Sequence, residues 1–146
     1  MDEVIDIRAH NRTAIEAHPM ANRSNLIEGS SVDPEIIGRV HVTADGYERI
    51  LVCLDSNHTT TTTTSSQSWK PTPRWSPPGS DCAVFDTIID DRPADMFPNR
   101  PWGPGDNPKT SVQDYLKTQP ELAIEKQIDH KLLISVAPDG YLRRVG

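Results

Sequence analysis

The chain has 146 residues with a formal net charge of −6, and 35% of its residues are hydrophobic and 5% aromatic. This length suffices for one domain with a modest core, so we predict a single domain over residues 1–146. No basic stripe is available to neutralise phosphates, which excludes nucleic acid as the main partner. No run of about 18 apolar residues exists, so no membrane span is predicted. The start, "MDEVIDIRAH", is acidic and unlike a signal peptide, and we expect a cytoplasmic location.

Strand-like and helix-like patterns alternate along the chain. In order they are a strand at 3–8, a helix at 10–19, strand 24–31, helix 32–40, strands 48–56 and 82–90, helix 110–120, strand 122–128 and a hairpin at 131–145. Asp33 followed by Pro34 is a typical helix start, and Thr110 or Ser111 is the expected cap of the third helix. This order predicts an α/β fold with a mostly parallel sheet that ends in an antiparallel hairpin.

The strands at 48–56 and 82–90 are nearly continuous apolar runs, as in central strands covered on both faces. Cys53 and Cys82 lie in these runs, and we expect both to be small core thiols. A disulfide is not expected in a cytoplasmic chain. Two isolated cysteines also do not make a zinc site.

Acidic residues follow several of the predicted strands. They are Asp6, Glu28, Asp55 and Asp86. In open α/β sheets, ligands bind outside the carboxyl ends of the strands, where these side chains would converge. The pattern predicts an acidic crevice for a hard cation, a ribose, or both. The alternative is that each acid is a solvated strand end or a helix cap.

Several stretches of the chain are distinctive in composition and order. They are "IDIRAHNR" (5–12), "LIEGSS" (26–31), "ILVCLDSNHT" (50–59), "RPWGPGDNPKT" (100–110) and "KLLISVAPDGYL" (131–142). These stretches resemble the cephalosporin hydroxylase family, whose relatives include rhamnosyl O-methyltransferases of bacterial lipid biosynthesis. The resemblance covers most of residues 4–145 except about 59–80. It implies a Rossmann-like methyltransferase fold that uses S-adenosylmethionine, commonly with Mg²⁺, on a small-molecule or saccharide hydroxyl.

The resemblance also implies roles for residues near a metal ion. Asp55 matches a metal ligand of the family, and Asp86 matches the acid after the following strand. Many relatives carry a Glu-Asp pair there, whereas this chain has Phe85 before Asp86. His58 is a candidate catalytic base near the metal. The alternative for His58 is a polar residue at a strand end.

A second set of residues is implied to bind the cofactor. Glu28, Gly29, Ser30 and Ser31 match the turn beside the adenine end of S-adenosylmethionine. Asp6 lies near the acidic position that contacts the ribose hydroxyls.

The chain departs from the family pattern at its N-terminus. Relatives have a first strand and a glycine-rich turn before the stretch that matches "IDIR", and this sequence begins at the second strand. We therefore expect a partial, N-terminally truncated domain whose sheet lacks the first strand and its Gly-rich turn. The neighbouring strand edges would then need cover.

A threonine- and proline-rich stretch, "NHTTTTTTSSQSWKPTPRWSPPGSDC" (57–82), separates the two apolar runs. A parallel crossover needs a helix with an apolar face, which this composition cannot supply. In relatives the position holds a helix resembling "HDHVLAELEAYAPLVSPGSYC". Read one frame over, the codons for 62–79 allow "DHVLAELEAYAPLVSPG", and the Trp69–Lys70 codons then contain GAA for glutamate. We interpret the stretch as a double frameshift and predict that 59–80 is irregular.

Other interpretations of this stretch are less favoured. An O-glycosylated stalk would need a secreted chain, and a ligand for an SH3-like module would need a cleaner PxxP spacing than "KPTPRWSPP" provides.

Three functions remain open from the sequence. The first is a metal-assisted O-methyltransferase, impaired in this chain. The second is a non-catalytic remnant, and the third is a module that binds a metal but no cofactor. The sequence leaves the acceptor and the formation of a homo-oligomer undecided.

Overall fold

The computed structural model describes residues 2–5, 9–29, 33–55, 76–96, 98 and 103–146, with the backbone alone for 2–5, 9 and 10. The chain divides into two compact units, Met1–Asp45 and Gly46–Gly146.

The first unit is a parallel strand pair with two helices. Its elements are β1 (Asp2–Ile5), α1 (Ala9–Glu16), a 3₁₀ helix (Ala21–Arg23), β2 (Ser24–Ile27) and α2 (Pro34–Ala44). α1 lies in the crossover between β1 and β2, which pair in register from Asp2–Ser24 to Ile5–Ile27. Asp33 caps α2 by accepting a hydrogen bond from the Glu35 N–H at 2.8 Å, and this confirms the predicted helix start.

The second unit is a mixed four-stranded sheet with helices. Its elements are β3 (Leu51–Leu54), β4 (Asp81–Val84), 3₁₀ helices (Thr87–Asp91 and Ala94–Met96), α3 (Pro108–Leu116), β5 (Leu122–Ile124), α4 (Lys126–Leu132) and β6 (Tyr141–Arg144). The strand order is β3-β4-β6-β5. β3 and β4 are parallel, whereas β6 is antiparallel to both of its neighbours. The α/β class is confirmed, but a mostly parallel sheet and the loss of a first strand are not.

The core of the second unit lies between α3 and the sheet. Its buried members are Cys82, Val84, Val112, Tyr115 and Leu142. Val112 and Tyr115 lie on one face of α3 at a spacing of three residues, which brings both side chains onto the sheet. Burial of an aliphatic or aromatic side chain contributes about 1.5–3 kcal/mol, so this cluster fixes α3 beside β4 and β6.

The predicted strand at 122–128 is wrong beyond Ile124. The Glu125 carboxylate accepts a hydrogen bond from the Gln127 N–H at 3.3 Å and thereby caps α4. Ile128 and Leu132, four residues apart, fall on one side of that helix. The cap at Glu125 therefore begins a helix where the alternating pattern suggested a strand.

The predicted hairpin at 131–145 is also wrong. Its first residues end α4, and its only described strand is β6 (Tyr141–Arg144). β6 pairs with β4 and β5 rather than with a strand from its own segment. The "PDG" turn leads into β6 but does not join two strands.

The second apolar run and the third helix also begin or end differently from the predictions. The strand predicted at 82–90 ends at Val84 because Asp86 leaves the extended conformation and precedes a 3₁₀ helix. The cap of α3 is Asn107, whose side chain accepts hydrogen bonds from the N–H groups of Lys109 and Thr110. Thr110 Oγ1 instead accepts a hydrogen bond from the Asn107 N–H, the reciprocal bond of a capping box, so the assignment of Thr110 as the cap was wrong.

The two cysteines have different environments. Cys82 is buried, as expected, but Cys53 is exposed. β3 is an edge strand among the described residues, and its Leu51 and Cys53 face outward while Val52 and Leu54 face the core. Both thiols are free.

Residues 57–75 of the threonine-rich stretch lie outside the described residues. The described part, 76–80, is a turn that leads into β4. The Gly79 N–H donates to the Arg144 carbonyl at 2.8 Å, and the Ile50 N–H donates to Ser80 Oγ at 3.1 Å. The frameshift and the irregular character of 59–80 stay predictions.

The described helices are short, and the 11 residues of α2 make it longer than α1, α3 and α4. Within the described ranges, no helix is long and apolar enough to cross a membrane.

Candidate functional site

The residues predicted to form the site are distributed over both units. Asp55 and Asp86 belong to the second unit, and Glu28 and Gly29 to the first. The remaining ones, Asp6, Ser30, Ser31 and His58, lie outside the described residues.

Asp55 and Asp86 follow neighbouring parallel strands at the same edge of the sheet. Leu54 at the end of β3 is in register with Val84 at the end of β4. The ladder continues one step further, because the Phe85 N–H donates to the Leu54 carbonyl at 3.0 Å. Asp55 is exposed and Asp86 is partly buried. The structure therefore brings these two predicted acids to one carboxyl edge, as the pattern of acids after strands indicated.

Asp86 has a left-handed backbone, with φ 62° and ψ 14°. This region disfavours most side chains, although aspartate tolerates it better than bulky residues. Non-glycine residues in such conformations concentrate at functional sites, where the surrounding structure holds them. The bend turns the chain from β4 directly into the 3₁₀ helix Thr87–Asp91.

Residues 136–140 run beside this bend and bond to both sides of it. The Val84 N–H donates to the Gly140 carbonyl at 2.8 Å, and the Ile88 N–H donates to the Val136 carbonyl at 3.3 Å. Between them, Thr87 Oγ1 donates to the Pro138 carbonyl at 2.7 Å. The bend at Asp86 is thus flanked by contacts to a single segment.

A second set of contacts joins the same 3₁₀ helix to the loop before α3. Asp90 Oδ1 accepts hydrogen bonds from the Gly105 N–H at 2.9 Å and from Asn107 Nδ2 at 2.7 Å. These two bonds, in that order, and the positive charge of Lys109 lower the pKa of the Asp90 carboxyl, with burial acting in the opposite direction. Asn107 Nδ2 also donates to the Gly103 carbonyl at 2.9 Å. The "GPGDN" sequence is therefore a loop closed on Asp90.

Lys109 is a nearly buried cation beside this loop, with 9% of its surface exposed. Its Nζ lies 2.8 Å from both carboxylate oxygens of Asp91 and 3.7 Å from Oδ2 of Asp139. Asp139 also pairs with Lys126. A buried charge requires such partners, so Lys109 connects α3 both to the 3₁₀ helix and to the 136–140 segment.

In the first unit, Glu28 and Gly29 follow β2. The Glu28 carboxylate is exposed, and its Oε2 lies 3.5 Å from Nη2 of Arg12. Gly29 has φ 153°, and a Cβ there would lie 2.5 Å from Cδ1 of Ile36 in α2. The positive φ and the contact with α2 therefore both favour glycine at this position, whereas the exposed carboxylate of Glu28 is accessible to a ligand.

The donor chemistry at the sheet edge fits Mg²⁺. Carboxylate oxygens are preferred ligands of this ion, which is commonly held by one or two carboxylates with waters. Asp55 and Asp86 supply two such groups at one edge. Among the residues that the structure describes, no group of three or more His, Cys, Asp or Glu side chains is arranged to hold a metal.

Sequence reasoning did not identify the residues that support the bend. They are Thr87, Asp90, Asn107, Lys109 and Gly140. Most of them fall in "RPWGPGDNPKT" and "KLLISVAPDGYL", the stretches that carried the family resemblance. Their density of Gly, Pro and Asn indicated special turns, but their partners are distant in sequence and were not readable from spacing.

Comparison with known proteins identifies one family. The family model described as rhamnosyl O-methyltransferase/CmcI matches residues 2–145 and confirms the resemblance noted in the sequence. No curated protein and no solved structure matches the chain. The family match indicates a function of the O-methyltransferase type and implies S-adenosylmethionine as methyl donor and a small-molecule acceptor.

Proposed function

The chain belongs to the rhamnosyl O-methyltransferase/CmcI family, and we propose that it transfers a methyl group from S-adenosylmethionine to a hydroxyl with the help of a divalent cation. The observation that carries the proposal is the position of Asp55 and Asp86, which follow the carboxyl ends of two adjacent parallel strands. Ligand sites of open α/β sheets lie at such ends. The rhamnosyl group in the family description favours a saccharide acceptor.

In this proposal Asp55 and Asp86 hold the cation. A bound Mg²⁺ would polarise the acceptor hydroxyl and lower its pKa. The exposed carboxylate of Asp55 is accessible from solvent, and the bend at Asp86 aims the second carboxylate from a fixed backbone. His58, three residues after Asp55, is proposed to accept the proton of the acceptor hydroxyl.

The cofactor is proposed to bind along the residues that follow β1 and β2. Asp6 would accept hydrogen bonds from the ribose hydroxyls, and Glu28 to Ser31 would line the adenine end. Methyl transfer needs the acceptor oxygen in line with the sulfonium methyl group, so the contribution of these residues is orientation.

Titration calorimetry tests the proposal with Mg²⁺ and S-adenosylmethionine as separate probes. We expect both to bind, and we expect Asp86→Asn to weaken Mg²⁺ binding without weakening S-adenosylmethionine binding. Asparagine tolerates the left-handed backbone, so this change removes the charge while keeping the bend. Asp95→Asn, at an exposed acid in another 3₁₀ helix, is the matched control and should bind Mg²⁺ like the wild type.

The other outcomes contradict the proposal in distinct ways. Binding of Mg²⁺ alone would indicate a metal-binding module, and binding of neither probe would indicate a non-catalytic remnant. If Asp86→Asn and Asp95→Asn changed Mg²⁺ affinity equally, Asp86 would not be a ligand of the metal.

A further inference from the structure

The bend at Asp86 is held from outside rather than by its own side chain. Its carboxylate makes no cap hydrogen bond to the 3₁₀ helix that it precedes. A left-handed aspartate without such a bond carries a conformational cost that the neighbouring structure must offset.

Thr87 is the residue best placed to supply that restraint. It is fully buried, with 0% of its surface exposed, and directly follows Asp86. Its hydroxyl donates to the Pro138 carbonyl at 2.7 Å. A hydrogen bond from the adjacent residue fixes the peptide plane between positions 86 and 87, and thereby the direction in which the Asp86 side chain leaves the backbone.

The partner segment is itself fixed. Gly140 meets the backbone of β4 so closely that a Cβ would lie less than 3.0 Å from the Val84 carbonyl oxygen and 3.1 Å from Thr87 Cγ2. Asp139, with φ 63°, is held by ion pairs to Lys109 and Lys126. The Pro138 carbonyl is therefore a rigid acceptor rather than part of a mobile loop.

We propose that Thr87 is a positioning residue for Asp86: its bond to Pro138 holds Asp86 in the left-handed conformation that presents the carboxylate to the cation. The functional half of this inference rests on the proposed metal role of Asp86. The structural half, the restraint of the bend, does not. The two halves are tested separately.

A double-mutant cycle tests the restraint in the absence of metal. Glycine adopts left-handed backbone without cost, so Asp86→Gly should raise the urea midpoint of unfolding. Thr87→Val deletes the hydroxyl while keeping the shape. It should lower the midpoint less in the wild type than in the Asp86→Gly background, because in the wild type the lost bond also lets Asp86 leave its costly left-handed conformation. Equal losses in both backgrounds would show that Thr87 does not restrain position 86 and would overturn the inference.

Mg²⁺ titration tests the functional half. We expect Thr87→Val to weaken Mg²⁺ binding about 10-fold, as for other residues that orient metal ligands. Thr87→Ser, which keeps the hydroxyl, should restore binding. Ser111→Ala is the matched control, because Ser111 is also buried and donates to the Asn107 carbonyl at 3.2 Å, in α3. It should leave Mg²⁺ affinity unchanged.

The remaining outcomes separate the two proposals. Mg²⁺ affinity that is equal in Thr87→Val and wild type would overturn the positioning role. A wild-type chain that does not bind Mg²⁺ would overturn the proposed function and with it the metal-directed role of Thr87, while the mutant cycle would still decide whether Thr87 restrains the bend.

Discussion

Gly140 and Val84 lie backbone to backbone, with the Val84 N–H donating to the Gly140 carbonyl at 2.8 Å and no room for a side chain at position 140. A Cβ there would approach the Val84 carbonyl oxygen to less than 3.0 Å. Since backbone atoms cannot move aside like the end of a flexible side chain, we expect Gly140→Ala to reduce the free energy of unfolding by about 3 kcal/mol or more. Urea denaturation measures this loss.

Two glycines serve as controls for that substitution. A Cβ at Gly103 or Gly38 would meet no atom within 4 Å. Gly103→Ala should change the free energy of unfolding by no more than about 0.5 kcal/mol, and Gly38→Ala, inside α2, should raise it by up to about 1 kcal/mol. A loss at Gly103 equal to that at Gly140 would contradict the steric explanation.

Asp90 makes stability depend on acidity. Because its hydrogen bonds to Gly105 and Asn107 lower its pKa below the ordinary 3.8, it stabilises the fold when ionised. That contribution is present above pH 3.8 and is lost as the pH falls through the lower pKa of the folded chain. We expect Asp90→Asn to lower the urea midpoint at neutral pH, and the difference from wild type to shrink below pH 3.8. If the urea midpoints of Asp90→Asn and wild type differed by the same amount at every pH, the stabilising role of the Asp90 charge would be contradicted.

The two thiols should differ in reactivity. Burial, with a smaller contribution from Cys53, raises the pKa of the Cys82 thiol to about 12, so almost no reactive thiolate is present near neutral pH. Cys53 is exposed. We expect iodoacetamide to label Cys53 in the native chain and Cys82 only after denaturation, as read by mass spectrometry. In Cys53→Ser, labelling of the native chain should disappear. Labelling of Cys82 in the native chain at the rate of Cys53 would contradict the burial of Cys82.

Alkaline pH should unfold the second unit. Burial raises the pKa of Tyr115 from 10.0 to about 12, with Glu121 contributing, and that of Cys82 from 9.0 to about 12. Both groups therefore favour the folded chain when protonated, and this stability is lost as the pH rises from the unfolded values towards about 12. As the pH rises, the circular dichroism signal of folded structure should decrease less for Tyr115→Phe than for wild type. An equal loss would remove Tyr115 from the explanation.

Leu133 occupies a strained turn after α4. Its backbone has φ 62° and ψ −47°, and the Ile134 N–H donates to the Leu132 carbonyl at 2.7 Å, which together define a γ-turn of the rare form. The side chain is 86% exposed, so little packing is lost on removal. We expect Leu133→Gly to raise the free energy of unfolding by about 1 kcal/mol.

Leu132→Gly is the matched control for this change. Leu132 is an exposed leucine one residue earlier and still helical. Glycine there should lower the free energy of unfolding by about 1 kcal/mol. Destabilisation by both substitutions would show that the turn carries no strain.

Local signals predicted the fold where one short segment decides the outcome. Asp33 and Pro34 gave the start of α2, and the apolar runs gave β3 and β4. The predictions failed where distant partners decide. The segment after residue 131 looked like a hairpin, but Tyr141–Arg144 found its partners in β4 and β5. Asn107 was missed as a cap although Asn107–Pro108 repeats the local signal of Asp33–Pro34; only its bond to Asp90, 17 residues away, depends on a distant partner.

The candidate site shows the same division. Acids after strands were visible in the sequence, and the register of β3 with β4 confirms that Asp55 and Asp86 share an edge. The left-handed backbone of Asp86 and its bracketing by residues 136–140 were not visible, since they depend on tertiary hydrogen bonds. Asp6, Ser30, Ser31 and His58 lie outside the described residues and stay predictions.

The strand order β3-β4-β6-β5 has a consequence for synthesis on the ribosome. β6 lies between β4 and β5 but follows both in the chain, so the β4 and β5 edges that pair with β6 are unpaired when these strands emerge. Long-range strand pairing is slow because loop closure must precede it. The carboxyl edge at Asp86 therefore gains its flanking segment only after residues 136–144 have been made, and nascent chains shorter than this should expose the unpaired side of β4 to chaperones.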